Sequence, residues 1–163
     1  SERISTNHAI ARFLDARHPG RMLVRPEVEH IERWANETLQ MEARRILGGG
    51  VLRDPATFSV HAADGRMGYL LFRGRRARRR LIPLLGPVFR VSPGAEQRLL
   101  AELPGMLDRI DGWIGDGLIN GPELNVADFM IAPSLALMLY RDDLDDVFAG
   151  RPALALVDRL LPA

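Results

Sequence analysis

An Asn three residues ahead of an acid, placed directly before an apolar run, constrains this chain more than any other feature. In Asn125-Val126-Ala127-Asp128 the Asn side-chain oxygen can accept the backbone N–H of Asp128, and the Asp128 carboxylate can reach back to the N–H of Asn125. Two donors that every helix start leaves without an intrahelical partner are met in this way. Leu124 just before the cap and Phe129 just inside the helix stand where a hydrophobic staple pairs them. The residues that follow, through Leu139, are apolar nearly all round. They therefore predict a buried central helix whose polar cap is buried with it. Pro133 frees the carbonyl of Phe129 and predicts a bend.

The remaining residues must cover that helix, and at 47% hydrophobic in 163 residues one domain can do so. Formal net charge is +1 with 26% charged residues, so no overall field points to nucleic acid or a membrane surface. All 22 basic residues are Arg, which reads as a composition bias more than a recognition requirement. There is no Cys, hence no thiolate metal site or cysteine nucleophile. The four His residues, at 8, 18, 30 and 61, lack metal-ligand spacing, and no metal is expected. No apolar run approaches a membrane span and no signal-peptide pattern is present, so a cytoplasmic protein is expected. The chain starts at Ser1 without a Met, as a piece of a longer protein would.

Read in order, Ser5-Thr6-Asn7 caps a helix to about Arg17 with Ile10, Phe13 and Leu14 on one face, and His18-Pro19-Gly20 stops it. Residues 21–25 read as a linker. Pro26 opens a helix over 27–47 whose stripe is Val28, Ile31, Ala35, Leu39 and Ile46, and Gly48-Gly49-Gly50 is expected to end it. A second, mixed stripe on that helix carries Trp34, Thr38, Met41 and Arg45. Glu42 falls within the apolar stripe, where Arg45 is its expected partner. Residues 51–92 are the least legible part. They include the run Arg73-Gly74-Arg75-Arg76-Ala77-Arg78-Arg79-Arg80, which lacks interleaved aromatics and is read as a solvated face.

Ser92 before Pro93 starts another helix, with Leu99, Leu103, Leu107, Ile110 and Ile114 at spacings of three and four, and Pro104-Gly105 is expected to kink or break it. Arg141-Asp142-Asp143-Leu144-Asp145-Asp146 is read as a solvated acidic turn, without the Gly and terminal Glu of a calcium loop. Pro152 opens a last helix.

Two stretches carry a family resemblance. Gly121-Pro122-Glu123-Leu124-Asn125-Val126-Ala127-Asp128, with Pro133 five residues on, resembles the buried capping box and staple of the glutathione transferase helical domain, where Ser or Thr more often stands at the Asn125 position. Thr6-Asn7-His8-Ala9-Ile10-Ala11-Arg12-Phe13-Leu14-Asp15, followed by Pro19, is similar to the last helix of that family's thioredoxin-like domain. Here Thr6 stands for the family's acid and Asn7 for its Ser.

The resemblance implies an all-α glutathione transferase C-terminal-like helical bundle over residues 21–163. It also implies a leading helix, within 1–20, that belongs to an absent thioredoxin-like domain. It further implies conjugation of glutathione to a hydrophobic electrophile in a homodimer, with no membrane or nucleic-acid partner. Thr6 and Asn7 would anchor the γ-glutamyl carboxylate at the helix start. Trp34, Thr38, Met41 and Arg45 would wall the electrophile cleft. Asn125 and Asp128 would be a structural cap. The family's thiol-activating residue lies near the start of the thioredoxin-like domain, so no catalytic residue is named. The competing expectation is a non-catalytic interaction or ligand-binding module of the same shape.

Overall fold

The computed structural model describes residues 7–18, 23–53 and 92–161. They are mostly helical and contain no strand, so the fold class is all-α. Among them run α1 (Asn7–Arg17), α2 (Glu29–Trp34), α3 (Gln40–Arg53), α4 (Pro93–Gly115), α5 (Val126–Met138), α6 (Asp145–Phe148) and α7 (Pro152–Leu160). Short 3-10 turns at Pro26–Val28 and Asp142–Leu144 lead into α2 and α6, and a π-helical turn, Ala35–Leu39, joins α2 to α3. Thr6 and the arginine run at 73–80 lie outside the described residues.

Helix α5 is the centre. It packs on α3, α7, α2 and the π turn, with a lighter contact to α1. Nine of its thirteen residues are buried, Asp128 and Ser134 among them. Helix α5 runs through Pro133, and the Ser134 hydroxyl donates to the Met130 carbonyl at 3.0 Å, a local bond that meets the polar group inside the core.

The second stretch is helical throughout, as its apolar stripe predicts, but a π turn interrupts its α-helical winding. Buried positions fall at Ile31, Ala35, Leu39 and Ala43, every fourth residue. That rotation is slower than 3.6 residues per turn, and the wider π turn keeps these side chains on one face. Nor do Gly48-Gly49-Gly50 end the helix, since α3 continues to Arg53. Their absent side chains make room instead. A Cβ on Gly49 would lie 2.9 Å from the Glu96 Cβ, and one on Gly50 would lie 2.8 Å from the Arg141 Nε. Helix α4 likewise runs unbroken through Pro104, because Leu99, Leu103, Leu107 and Ile110 all bury in the same stripe and hold it on the bundle. The cost of a proline in a helix interior, about 3 kcal/mol, is met by tertiary packing.

The close approach at the two glycines seats a buried charge cluster. Arg141, fully buried, donates from Nη1 to the Ile46 carbonyl at 2.7 Å and to Glu96 Oε1 at 3.0 Å. Its Nε and Nη2 bond both oxygens of Asp143, at 2.9 and 2.6 Å. Arg53 joins from the end of α3, 3.3 Å from Glu96 and 2.9 Å from Asp143. Arg141 and Asp143 therefore do not belong to a merely solvated acidic turn, since the first is fully buried and the second pairs with it. A buried guanidinium must be paired on every side, and Asp143 is one of its partners.

Candidate functional site

The cap of α5 is built from more than its own four residues. Asn125, in extended conformation, accepts from the Ala127 N–H at 2.9 Å, and the reciprocal bond runs from the Asn125 N–H to Asp128 Oδ2 at 2.7 Å. Asp128 Oδ1 takes a second backbone donor, Asn120 N–H, at 2.6 Å, and the Asn125 amide donates to the Leu118 carbonyl at 2.9 Å. Burial pushes the Asp128 carboxyl above its ordinary range. The two backbone donors and the more distant Arg159 and Arg25 pull the other way. Arg159 fixes the approach loop from outside, donating to the carbonyls of Asn120, Gly121 and Pro122. The Val126 N–H reaches across to the Leu23 carbonyl at 2.8 Å. Leu23 and Val24 in turn donate to the two oxygens of Asp15, at 2.8 and 2.7 Å. Residues 23–25 thus lie against the bundle and link the end of α1 to the start of α5.

Helix α1 contributes Ala11 to the core and leaves Ile10, Phe13 and Leu14 outward, each at least 40% exposed. Between α1 and α5 runs an open trough of about 990 Å³, floored by Ile10, Leu14, Val126, Phe129, Met130 and Pro133, with Asp15 and His18 at one end. Phe129 is 49% exposed here. A smaller hollow of about 130 Å³ continues past Phe129 and Pro133 to Arg44 and Gln40 on α3. Of the two anchor residues expected from the sequence, Thr6 is outside the described residues and Asn7 is the first residue of α1.

The four cleft residues expected from the sequence lie along the other side of α2 and α3, and neither hollow is lined by them. Trp34 stands edge-to-face on Trp113 of α4, ring centroids 5.2 Å apart and planes at 71°. Thr38 is half-buried within the π turn, and Met41 is 40% exposed. Arg45 holds a buried Nε that has no hydrogen-bond partner among the described residues. Burial chiefly, and then the charge of Glu102, pushes the Glu42 carboxyl up, while Arg45 pulls it down. The partner expected for Glu42 is thus near it, with an opposing acid from α4.

Reasoning from the sequence misses the α4 side of this seam. Glu102, Met106, Arg109 and Trp113 repeat at four, three and four, the spacing of Trp34, Thr38, Met41 and Arg45. That second stripe is the available signal, and the stronger leucine pattern beside it, which marks the core, obscures it. Arg109 lies over both indoles, 5.5 Å from the Trp34 ring centre and 5.9 Å from that of Trp113, and His30 stands edge-on to Trp113 at 5.9 Å. Among the described residues no group of three or more His, Cys, Asp or Glu could hold a metal ion, and no helix is long and apolar enough to cross a membrane. No protein family, characterised protein or solved structure matches the chain in comparison.

Proposed function

We propose that this chain is the helical domain of a glutathione transferase-like protein, in which it walls the cleft for a hydrophobic electrophile and provides a helix-start anchor for glutathione. The observation that carries this reading is the buried capping box at the head of a central apolar helix, bonded through Val126 to the segment that follows α1. In this reading the outward apolar residues of α1 face strands of a thioredoxin-like domain lying outside the 163 residues. The thiol-activating residue lies there too, so this chain positions reactants and leaves thiolate stabilisation to that domain. The runner-up is a non-catalytic interaction or ligand-binding module on the same bundle, and the open apolar trough beside α1 favours it.

Glutathione titration by calorimetry tests the proposal. A single charge-assisted contact at a helix end contributes about 1 kcal/mol, too little to immobilise a flexible tripeptide, so the 163-residue chain alone is expected to show no measurable binding. The parent polypeptide, carrying a thioredoxin-like unit upstream, is expected to bind, and Asn7→Ala should weaken glutathione more than the electrophile. Tight binding by the chain alone would overturn this division of labour, and a parent without such a unit would overturn the family reading.

A further inference from the structure

We infer that Asn120-Gly121 is a site of spontaneous chemical modification, held shut by Arg159 of α7. At such a site the nitrogen of the following residue closes on the asparagine side chain and ammonia leaves. This goes beyond the glutathione reading and does not rest on it, because it needs no ligand and no residue outside the described ones.

Three observations converge. First, of the four Asn residues, at 7, 36, 120 and 125, Asn120 alone precedes a glycine. With no Cβ beside it, the Gly121 nitrogen meets the least steric hindrance to attack on the side chain before it. Second, the Gly121 N–H makes no hydrogen bond among the described residues, so the nucleophile is not tied up. Third, the geometry withholds it. Asn120 stands at φ 55°, in the left-handed region that Asn enters more readily than most residues. There ψ lies near about +47°, which turns the next nitrogen away from the Cβ, so closure requires that peptide plane to rotate. Arg159 opposes the rotation. Its Nη1 donates to the Asn120 carbonyl and to Asn120 Oδ1, both at 3.1 Å, and to the Gly121 carbonyl at 2.7 Å. Its Nη2 donates to the Pro122 carbonyl at 3.1 Å. Rotating the plane breaks this clamp, so the reactive geometry is reached when the end of α7 lifts away.

The step balances with water alone. The Gly121 nitrogen attacks the Asn120 Cγ, and the new N–C bond replaces the bond from Cγ to Nδ2. The amide nitrogen leaves as ammonia, carrying the Gly121 proton. Water then opens the five-membered succinimide at either carbonyl, leaving aspartate or isoaspartate at position 120. Isoaspartate adds a methylene to the main chain directly beside the α5 cap. The Asn120 N–H, 2.6 Å from Asp128 Oδ1, and the carbonyls under Arg159 cannot then all keep their partners. Aspartate leaves the main chain as it was and puts a carboxylate where Oδ1 already meets Arg159. The two products therefore loosen and tighten the same loop.

Mass spectrometry of the peptide spanning position 120 measures conversion of amide to acid in the full chain, kept at mildly alkaline pH. In guanidinium chloride, where no clamp exists, conversion is expected to be fastest, and in the native chain about tenfold slower or more. Arg159→Gln should raise the native rate several-fold with helix content by circular dichroism unchanged. Gly49→Ala, which strains the α3–α4 contact and leaves this loop alone, should not raise it. That pair separates release of the clamp from a general loss of stability. Gly121→Ala should slow conversion several-fold even in denaturant, and its methyl group fits the fold, the nearest atoms lying 3.8 and 3.9 Å away. Native conversion as fast as in denaturant would overturn the inference. So would no conversion in denaturant, an Arg159→Gln rate equal to the parent's, or equal acceleration by Gly49→Ala.

Discussion

Asp128 has no solvent exposure and satisfies two backbone donors, those of Asn120 and Asn125. Asp128→Ala leaves both unmet, the Asn125 donor in a buried setting, and a loss of about 1–3 kcal/mol is expected, read as a lowered thermal midpoint. An unchanged midpoint would mean that water reaches the cap. Acid titration separates this carboxylate from Asp143, because burial raises one while the Arg141 and Arg53 hydrogen bonds lower the other. For Asp143 the stabilisation is complete above the ordinary aspartate range near about 3.9 and is lost as pH falls through its lowered value. For Asp128 the sign reverses, and acidification from above its raised value towards the ordinary range relieves a burial penalty. Melts at stepped pH should therefore show Asp143→Asn flattening the fall in stability at the acid end, while Asp128→Asn removes the gain at milder acidity. The cap is legible in the sequence because its core is local, three residues from acceptor to donor. Arg141 is not, since its partners Ile46 and Glu96 lie 95 and 45 residues away and no spacing announces them.

Among the elements, helix existence and most starts follow from caps and apolar spacing. Ser92 accepts from the Ala95 N–H, and Pro152 opens α7, as their sequence signals indicate. The departures are places where a neighbouring helix overrides a local signal, as at Gly48-Gly49-Gly50 and Pro104. The stripe of Trp34, Thr38, Met41 and Arg45 is likewise only one half of a seam, and its α4 counterpart stands out once the two lie face to face. Two glycine substitutions measure this override. Gly112 sits inside α4 with open space around the position a new methyl group would take, so Gly112→Ala should stabilise by about 1 kcal/mol through helix propensity. Gly49→Ala gains the same propensity but drives a methyl against the Glu96 side chain, 2.7 Å from its Cγ, in a packed interior. Overpacking of that kind costs about 1–3 kcal/mol, and moving Glu96 also disturbs its bonds to Arg141 and Arg53. Opposite shifts in chemical denaturation midpoint are expected. Equal stabilisation by both would show that the α3–α4 contact is loose.

Across the whole molecule, packing is unevenly shared. Helix α5 is covered by α2, α3 and α7, whereas α1 touches it lightly and keeps three large apolar side chains outward. Hydrogen exchange of the chain alone should accordingly rank the amides of α1 far less protected than those of α5, with exchange in α1 reporting local opening. Equal protection in both helices would mean that α1 is covered in solution. The bundle carries its own consequence for where it is fastened. Arg53 and Glu96 meet one another, and Arg141 locks Glu96 from beneath. One buried guanidinium thus joins α3 at the Ile46 carbonyl, α4 at Glu96 and the turn before α6 at Asp143. The three are keyed together at a single interior point, so slackening there spreads to every element that meets it.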